Sequence, residues 1–424
     1  MGKQRLDSLC SINLESLGPT TPYDFVFDYI DISSVNKGHI DTTQIQRLVF
    51  TEAPSRARRR IRKDDVLLCT VRPGLKAHAR IRREDATPLV ASTGFAVLRA
   101  NDPSDCGFLF HQIFSDDVAS QLRSFEVGSS YPAVNESDVR HLMIYVPDRC
   151  ERHRIAHILD AIDDAIDKTE AVIAKLKQIR SGLLHDLLTC GLDKNGQLRD
   201  PIANPEKFKD SPLGRIPREW EVLQIAQLIA GFESGVSVDS IDSPASKDDV
   251  GVLKTGCVAR GIFEPLENKI VKTKEIFRVR CNPRADSIII SRMNTPDLVG
   301  ESAYVEQDYA HIYPPDRLWQ TIKRQDDPTC IRWLSYVLQE KKFRDCVSAG
   351  ATGTSGSMKN ISQSFYMGIA VRVPSRKEQK YIADNVLQFD KQVKSESANL
   401  VKLSCLKAGL SRDLLTGRVL ALDD

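Results

Sequence analysis

Apolar residues recur between 146 and 189 at Ile155, Leu159, Ile162, Ile166, Ile173, Leu176, Leu183 and Leu187. Between 373 and 416 they recur at Ile382, Val386, Phe389, Val393, Leu400, Leu403, Leu410 and Leu414. Both sets keep a 4-3-4-3 spacing in one phase, the period of a coiled-coil seam. The two segments align without a gap at a constant offset of 227, with 16 identities in 44 positions, so the chain is a duplicated unit. Asp148 and Ser375 each follow a proline and stand three residues before Glu151 or Glu378, a spacing that predicts an N-cap oxygen and a returning glutamate. Gly191 and Gly417 follow Leu-Leu-Thr within two residues, where glycine most easily makes a left-handed stop. Two helices of about 40 residues, roughly 60 Å each, are predicted. A stripe does not name its partner: mutual pairing and a homodimeric coiled coil both bury it. Two such helices in one chain make mutual antiparallel pairing the simpler arrangement, with the intervening domains at opposite ends.

The segments before the helices also correspond. Val35-Asn36-Lys37-Gly38 stands beside Val258-Ala259-Arg260-Gly261, and DDVLLCTVRP (64–73) beside ADSIIISRMN (285–294), where apolar runs next to turn residues predict strands. A Gly/Ser loop and a short strand precede each helix, at 128–147 and 355–374, with the same offset. The fold class is α+β: two similar domains at 1–145 and 220–372, a central helix at 146–190, a linker at 191–219 rich in Pro, Asp, Asn and Lys, and a C-terminal helix at 373–424.

With 424 residues the chain has room for two to four domains. Its 41% hydrophobic and 27% charged residues are those of a globular protein and exclude a disordered or fibrous chain. No stretch is long and apolar enough for a membrane span, and no targeting segment opens the chain, so a cytoplasmic protein is expected. Ten cysteines without a single C-x-x-C predict reduced thiols, with neither a metal site nor a disulfide framework.

A net charge of +2 gives no whole-chain argument for a polyanion. Locally, residues 56–83 carry a cationic surplus of nine, and 269–284 hold six cations against Glu275 alone. One basic run is most simply a solvated face. Recurrence in both halves, beside a turn-flanked strand each time, points to a nucleic-acid surface, because the arginine fork matches phosphates and guanine edges. GATGTSGSMKN (350–360) offers backbone N–H groups, hydroxyls, Lys359 and Asn360 to the same partner, or is a plain surface loop.

Catalytic candidates fall away. The loop at 350–360 has no Gly-Lys-Ser/Thr and is no Walker motif. His153 and His157 have metal spacing, but Arg154 stands where a zincin needs glutamate. Pro296-Asp297 with Glu301-Ser302-Ala303 lacks the lysine of a metal-dependent nuclease. No dinucleotide fingerprint and no Asn/Asp-Pro-Pro-aromatic tetrapeptide is present.

This organisation resembles the specificity subunit of type I restriction-modification systems over essentially the whole chain. The resemblance rests on LLHDLLT and SRDLLTGRV at the helix ends and on the V-P-x-R-x-E helix starts. SPLGRIPREWEV before the second domain, and FDYIDISSVNKGHI with EAPSRARRRIRKDDVLLCTVRPGLKAHA in the first, extend it. It implies a non-catalytic scaffold whose two target recognition domains each read half of a split DNA site, with the helices as spacer. It also implies two modification (methyltransferase) subunits and two restriction (ATP-dependent translocase and nuclease) subunits as partners. S-adenosylmethionine, ATP and Mg would belong to those partners and none to this chain. The first half opens at KQRLDSLCSIN without the Pro-x-x-Trp of Pro217 to Trp220, so its edge is expected to pack differently.

Base-reading residues vary within the family, so the DNA-contact set rests on charge, loop position and repeat. It comprises Arg56, Arg58, Arg59, Arg60, Arg72, Lys76, His78 and Arg80 in the first half, and Arg278, Arg280, Arg292, Asn294, Ser357 and Lys359 in the second. The helix-pairing set is Ile155, Leu159, Ile162, Ile166, Ile173, Leu176, Ile382, Val386, Phe389, Val393, Leu400 and Leu403. The alternative is a stand-alone DNA-binding regulator that dimerises through its helices and reads a symmetric operator.

Overall fold

A computed structural model describes residues 2–82, 86–128, 132–326, 328–353 and 358–421. They form two compact units of mixed helix and strand, 1–172 with 396–424 and 173–395. Both long helices, Arg149–Thr189 and Arg376–Leu414, contribute to each unit.

In the first unit, Gly2–Arg5 pairs antiparallel with Met143–Val146, just before the central helix. Two four-stranded sheets follow. One has the order Gln46–Val49, Val26–Ile30, Leu89–Ser92, Ala57–Ile61, which leaves the arginine-bearing strand at an edge. The other runs Cys10–Ile12, Phe95–Ala100, Val66–Cys69, Ala79–Arg80. Ile30, Leu67, Ala91, Phe95 and Val97 share one core. A second core joins Phe108, Leu109 and Ile113 of the helix Cys106–Phe114 to Ile155 and Leu159 of the central helix and Leu414 of the distal one.

The second unit repeats the plan. Glu221–Gln224 pairs with Ala370–Val373, before the distal helix. Its sheets run Ile229–Ser234, Leu318–Lys323, Ser287–Ser291, Ser302–Val305, and Ser240–Ile241, Asn268–Val271, Gly251–Leu253, Ile312–Tyr313. Trp220, Trp319, Trp333 and Tyr366 fill its core, which takes in Leu187 and Leu188 of the central helix and Ile382 and Val386 of the distal one.

The helix pair is antiparallel in each unit. In the first, the start of the central helix meets the end of the distal helix through an Asp163–Lys407 ion pair and an Arg154 Nη1 bond to the Ala421 carbonyl at 3.1 Å. In the second, Arg180 near the end of the central helix pairs with Asp390 near the start of the distal one. Ile155, Leu159, Ile173, Ile382 and Val386 are buried. Ile162, Ile166, Leu176, Phe389, Val393, Leu400 and Leu403 are half-buried, as one edge of a two-helix seam would be.

Two local features differ from the sequence pattern. Asp148 Oδ1 and Ser375 Oγ do cap their helices, accepting from the N–H groups of Glu151 at 2.9 Å and Glu378 at 3.3 Å. The glutamates turn elsewhere, however, and receive the chain that leaves the opposite helix: Glu151 accepts the Ala421 N–H, and Glu378 accepts the Leu192 N–H. A buried arginine and backbone donors compete better for the carboxylate than a solvated N-cap does. The stretch at 191–219 is accordingly no loose connector. It carries the hairpin pair Phe208–Lys209 with Ile216–Pro217, and the Arg199 side chain is only 7% exposed. Gly191 and Gly417, at φ +61° and +70°, end the helices in the left-handed conformation.

Candidate nucleic-acid interface

In the first unit, the edge strand Ala57–Ile61 buries Ala57 and Ile61 at its two ends, and its pairing shifts register at Arg58, so the arginines between them line the sheet edge. Arg58 lies over the Phe50 ring at 5.0 Å and donates to the Ala57 carbonyl at 2.8 Å. Arg60 stands 6.0 Å over Phe25. Arg56 is held by Asp31 at 2.7 Å and Tyr29 Oη at 3.2 Å. Arg59 donates to Ser16 Oγ at 3.3 Å and stands 3.9 Å from Glu136. These anchors fix the stems and order a cationic strip, which lowers the entropy lost when an anion docks.

Arg72 and Lys76 flank the tight turn Pro73–Leu75, both in the left-handed region, at φ +49° and +53°. Non-glycine residues hold that conformation only where the surroundings impose it. Here the Arg72 N–H donates to the Pro132 carbonyl at 2.7 Å, Val71 bridges Ala133, and Lys76 Nζ donates to the Phe114 carbonyl at 3.2 Å.

The second unit builds the same junction. The segment after its core strand, Met293–Asn294, pairs antiparallel with Lys359–Asn360, and the Ile361 N–H donates to the Arg292 carbonyl at 3.0 Å. Each unit thus ties the turn after a buried core strand to the loop before its long helix. Arg292, Asn294 and Lys359 are brought together by this pairing, while Ser357 lies outside the described residues. Arg292 Nη2 is 3.9 Å from Asp316, and Asn294 Nδ2 donates to Ser291 Oγ at 3.2 Å. Arg292 Nε and Asn360 Oδ1 are buried without a hydrogen bond among the described residues, one donor and one acceptor at the same junction.

Two sequence-chosen residues are core or bridging groups instead. His78 is 1% exposed, and its Nδ1 accepts the Cys69 N–H at 3.0 Å. Burial, reinforced by the Lys76 charge, lowers its pKa to about 4, so it is a neutral acceptor inside the sheet. Arg80 is turned inward to Asp160 of the central helix at 3.0 Å and lies against the Phe110 ring. Burial alone would raise the Asp160 carboxyl, but His111 and Arg80 hold it down at about 2. Arg80 therefore seats the domain on the helix.

Arg278 pairs with Glu275 on the turn Thr273–Arg278, and Arg280 is exposed beyond it. Sequence reasoning passed over Phe277 of the same turn, whose ring is 84% exposed. An aromatic inside a run of cations was the available signal. It also passed over Asp160, legible only once Arg80 is seen beside the helix.

No group of three or more His, Cys, Asp or Glu suited to a metal occurs among the described residues, and none of the described helices is long and apolar enough to cross a membrane.

Residues 58–178 match the family model described as the type I restriction modification DNA specificity domain. The chain is similar to the type I restriction enzyme EcoEI specificity subunit of Escherichia coli, at 26% identity over 45% of this chain and 31% of that one. It is similar to the MjaVIII specificity subunit of Methanocaldococcus jannaschii at 23% identity over 78% and 74%. The match thus spans about a third of the first relative and three quarters of the second. In fold it is similar to a type I restriction-modification S subunit from M. genitalium, with a TM-score of 0.61 at 14% identity, covering 97% of this chain and 95% of that one.

Proposed function

We propose that this chain, which belongs to the DNA specificity subunits of type I restriction-modification systems, reads a split and asymmetric DNA sequence, one half with each unit. The observation that carries this reading is the repeated junction, Val71-Arg72 against 132–133 and Met293-Asn294 against Lys359-Asn360. The first presents Arg72, and the second Arg292, Asn294, Lys359 and Asn360, on hydrogen-bonded backbone, each in a unit that also carries a basic segment able to hold phosphates. Phosphate contacts set position and base-edge contacts set sequence, and each unit has groups for both. The fold is repeated while the side chains at the junction differ, so the two half-sites differ.

The chain directs chemistry done by others. In this reading two modification subunits bring S-adenosylmethionine and methylate adenine N6, and two restriction subunits bring ATP- and Mg-dependent translocation and cleavage. A stand-alone regulator dimerising through its helices has less support, because the two helices already share a core near their ends within the chain, Leu187 and Leu188 with Ile382 and Val386, and Ile155 and Leu159 with Leu414.

The test is a map of N6-methyladenine by single-molecule sequencing, in cells carrying this gene with its neighbouring methyltransferase gene and in cells lacking it. A split motif that disappears with the gene supports the reading and gives both half-sites. An unchanged methylome beside an active methyltransferase, with a stable homodimer on sizing, turns the reading to the regulator.

A further inference from the structure

The turn Thr273–Arg278 in the second unit carries an apolar tip, with Phe277 84% and Ile276 38% exposed. The two side chains form a small apolar tip whose burial against a partner would be favourable. The surroundings name the partner's charge. Lys272, Lys274, Arg278, Arg280 and Arg284 stand within thirteen residues, against Glu275 in the same run and Asp239 and Glu233 from elsewhere in the unit. Lys272 and Lys274 share Asp239 at 3.7 and 3.6 Å, loose pairs that a stronger anion can replace. An apolar peptide groove framed by neutral groups gains nothing from such a surround. Duplex DNA combines a dense anionic surface with apolar slots between its base pairs.

The turn is also continuous with the junction assigned above to base reading. A Cβ at Gly235 would stand 3.2 Å from the Arg280 carbonyl and would clash with the Pro314 carbonyl, so only glycine lets the backbone pass this close to both. Two residues on from each, Ser237 Oγ donates to Asp316, the carboxylate that faces Arg292. The first unit's short turn Thr42–Gln44 offers no such tip, since Thr43 and Gln44 are both tied back to Asp41.

We propose that Phe277 is a wedge that enters a base step of the half-site read by the second unit. It unstacks and kinks the step while the flanking cations hold phosphates on either side. Pyrimidine–purine steps, the easiest to unstack, are the preferred point of entry, and sequence is selected there by deformability. The proposal rests on the DNA-reading function above and adds a residue and a mode of recognition to it.

The experiment takes the full-length chain with its methyltransferase subunit and a pool of random-sequence duplexes. Wild type, Phe277→Ala, Phe277→Trp and Lys274→Gln are compared, with thermal unfolding to confirm that the exposed substitutions leave the fold intact. The enriched duplex is then remade with 2-aminopurine at successive steps. Phe277→Ala should bind at least tenfold more weakly with an unchanged salt slope, lose the preference at one step, and abolish 2-aminopurine brightening there. Phe277→Trp should keep both, and Lys274→Gln should lower the salt slope by about one. Phe277→Ala binding with wild-type affinity, sequence and 2-aminopurine signal overturns the wedge and leaves DNA reading standing. A wild-type complex that enriches no sequence overturns both.

Discussion

Glu378 Oε1 accepts the backbone N–H of Leu192 at 2.8 Å, across 186 positions of sequence. The same oxygen takes Arg199 Nη1 at 2.6 Å, and Oε2 takes the Trp220 indole N–H at 3.1 Å. A glutamate at the start of the distal helix therefore holds the chain that leaves the central helix. Its repeat mate Glu151 holds the chain leaving the distal helix, with one 3.4 Å bond to the Ala421 N–H.

The two glutamates should differ in what their loss costs. With Arg199 at 7% and Glu378 at 9% side-chain exposure, Glu378→Ala leaves the buried guanidinium only the exposed Glu219 carboxylate, at 3.3 Å, and should cost about 3 kcal/mol in urea unfolding. Glu151→Ala loses one long bond and should cost about 1 kcal/mol. Equal losses would mean that the ion pair does not anchor 191–219.

His78 gives a pH dependence of definite sign. Its folded pKa is depressed to about 4 from an ordinary 6.5, so below pH 6.5 the unfolded chain binds more protons than the folded one. Stability contributed by the neutral ring is complete above pH 6.5 and is lost as pH falls towards 4, by about 3 kcal/mol in all. Unfolding free energies measured between pH 7 and 4 should show this slope for the wild type and a shallower one for His78→Asn. A slope untouched by the substitution would assign it to other groups.

The long helices, their antiparallel partnership and the α+β class were legible because a duplicated seven-residue pattern exposes period and phase together. The strands at 66–69 and 287–291 were legible as apolar runs beside turn residues. What stayed hidden is where a charge points. Arg80 and Arg58 look alike in sequence and both end on edge strands, but Arg80 faces the central helix and meets Asp160, whereas Arg58 lies over the Phe50 ring. His78 shows the same limit: it stands just before the strand Ala79–Arg80, and only packing shows it to be dry. The glutamates at the helix starts have the capping spacing, yet their partners come from more than 150 residues away.

That difference between arginines can be measured on DNA. Arg80→Gln should lower stability by about 2 kcal/mol, because Asp160 loses its 3.0 Å guanidinium partner and keeps only His111 and the more distant Arg82, and should leave the salt dependence of duplex binding unchanged. Arg60→Gln should leave stability nearly unchanged and lower the salt slope by about one. A reversed pattern would move the DNA face of the first unit from the sheet edge to the helix side.

The uninterrupted helices yield the last prediction, which follows from their proposed role as spacer. A heptad inserted between Thr169 and Leu176, matched by one between Glu396 and Leu403 on the antiparallel partner, keeps the apolar phase intact. It lengthens both helices by about 10 Å, close to the length of three base pairs. The methylated motif should then keep both half-sites and widen its central gap by about three base pairs. Four inserted residues would rotate one stretch of the seam against the other and should lower stability instead. A heptad variant that methylates with an altered half-site and the original gap would show that the helices do not set the spacing.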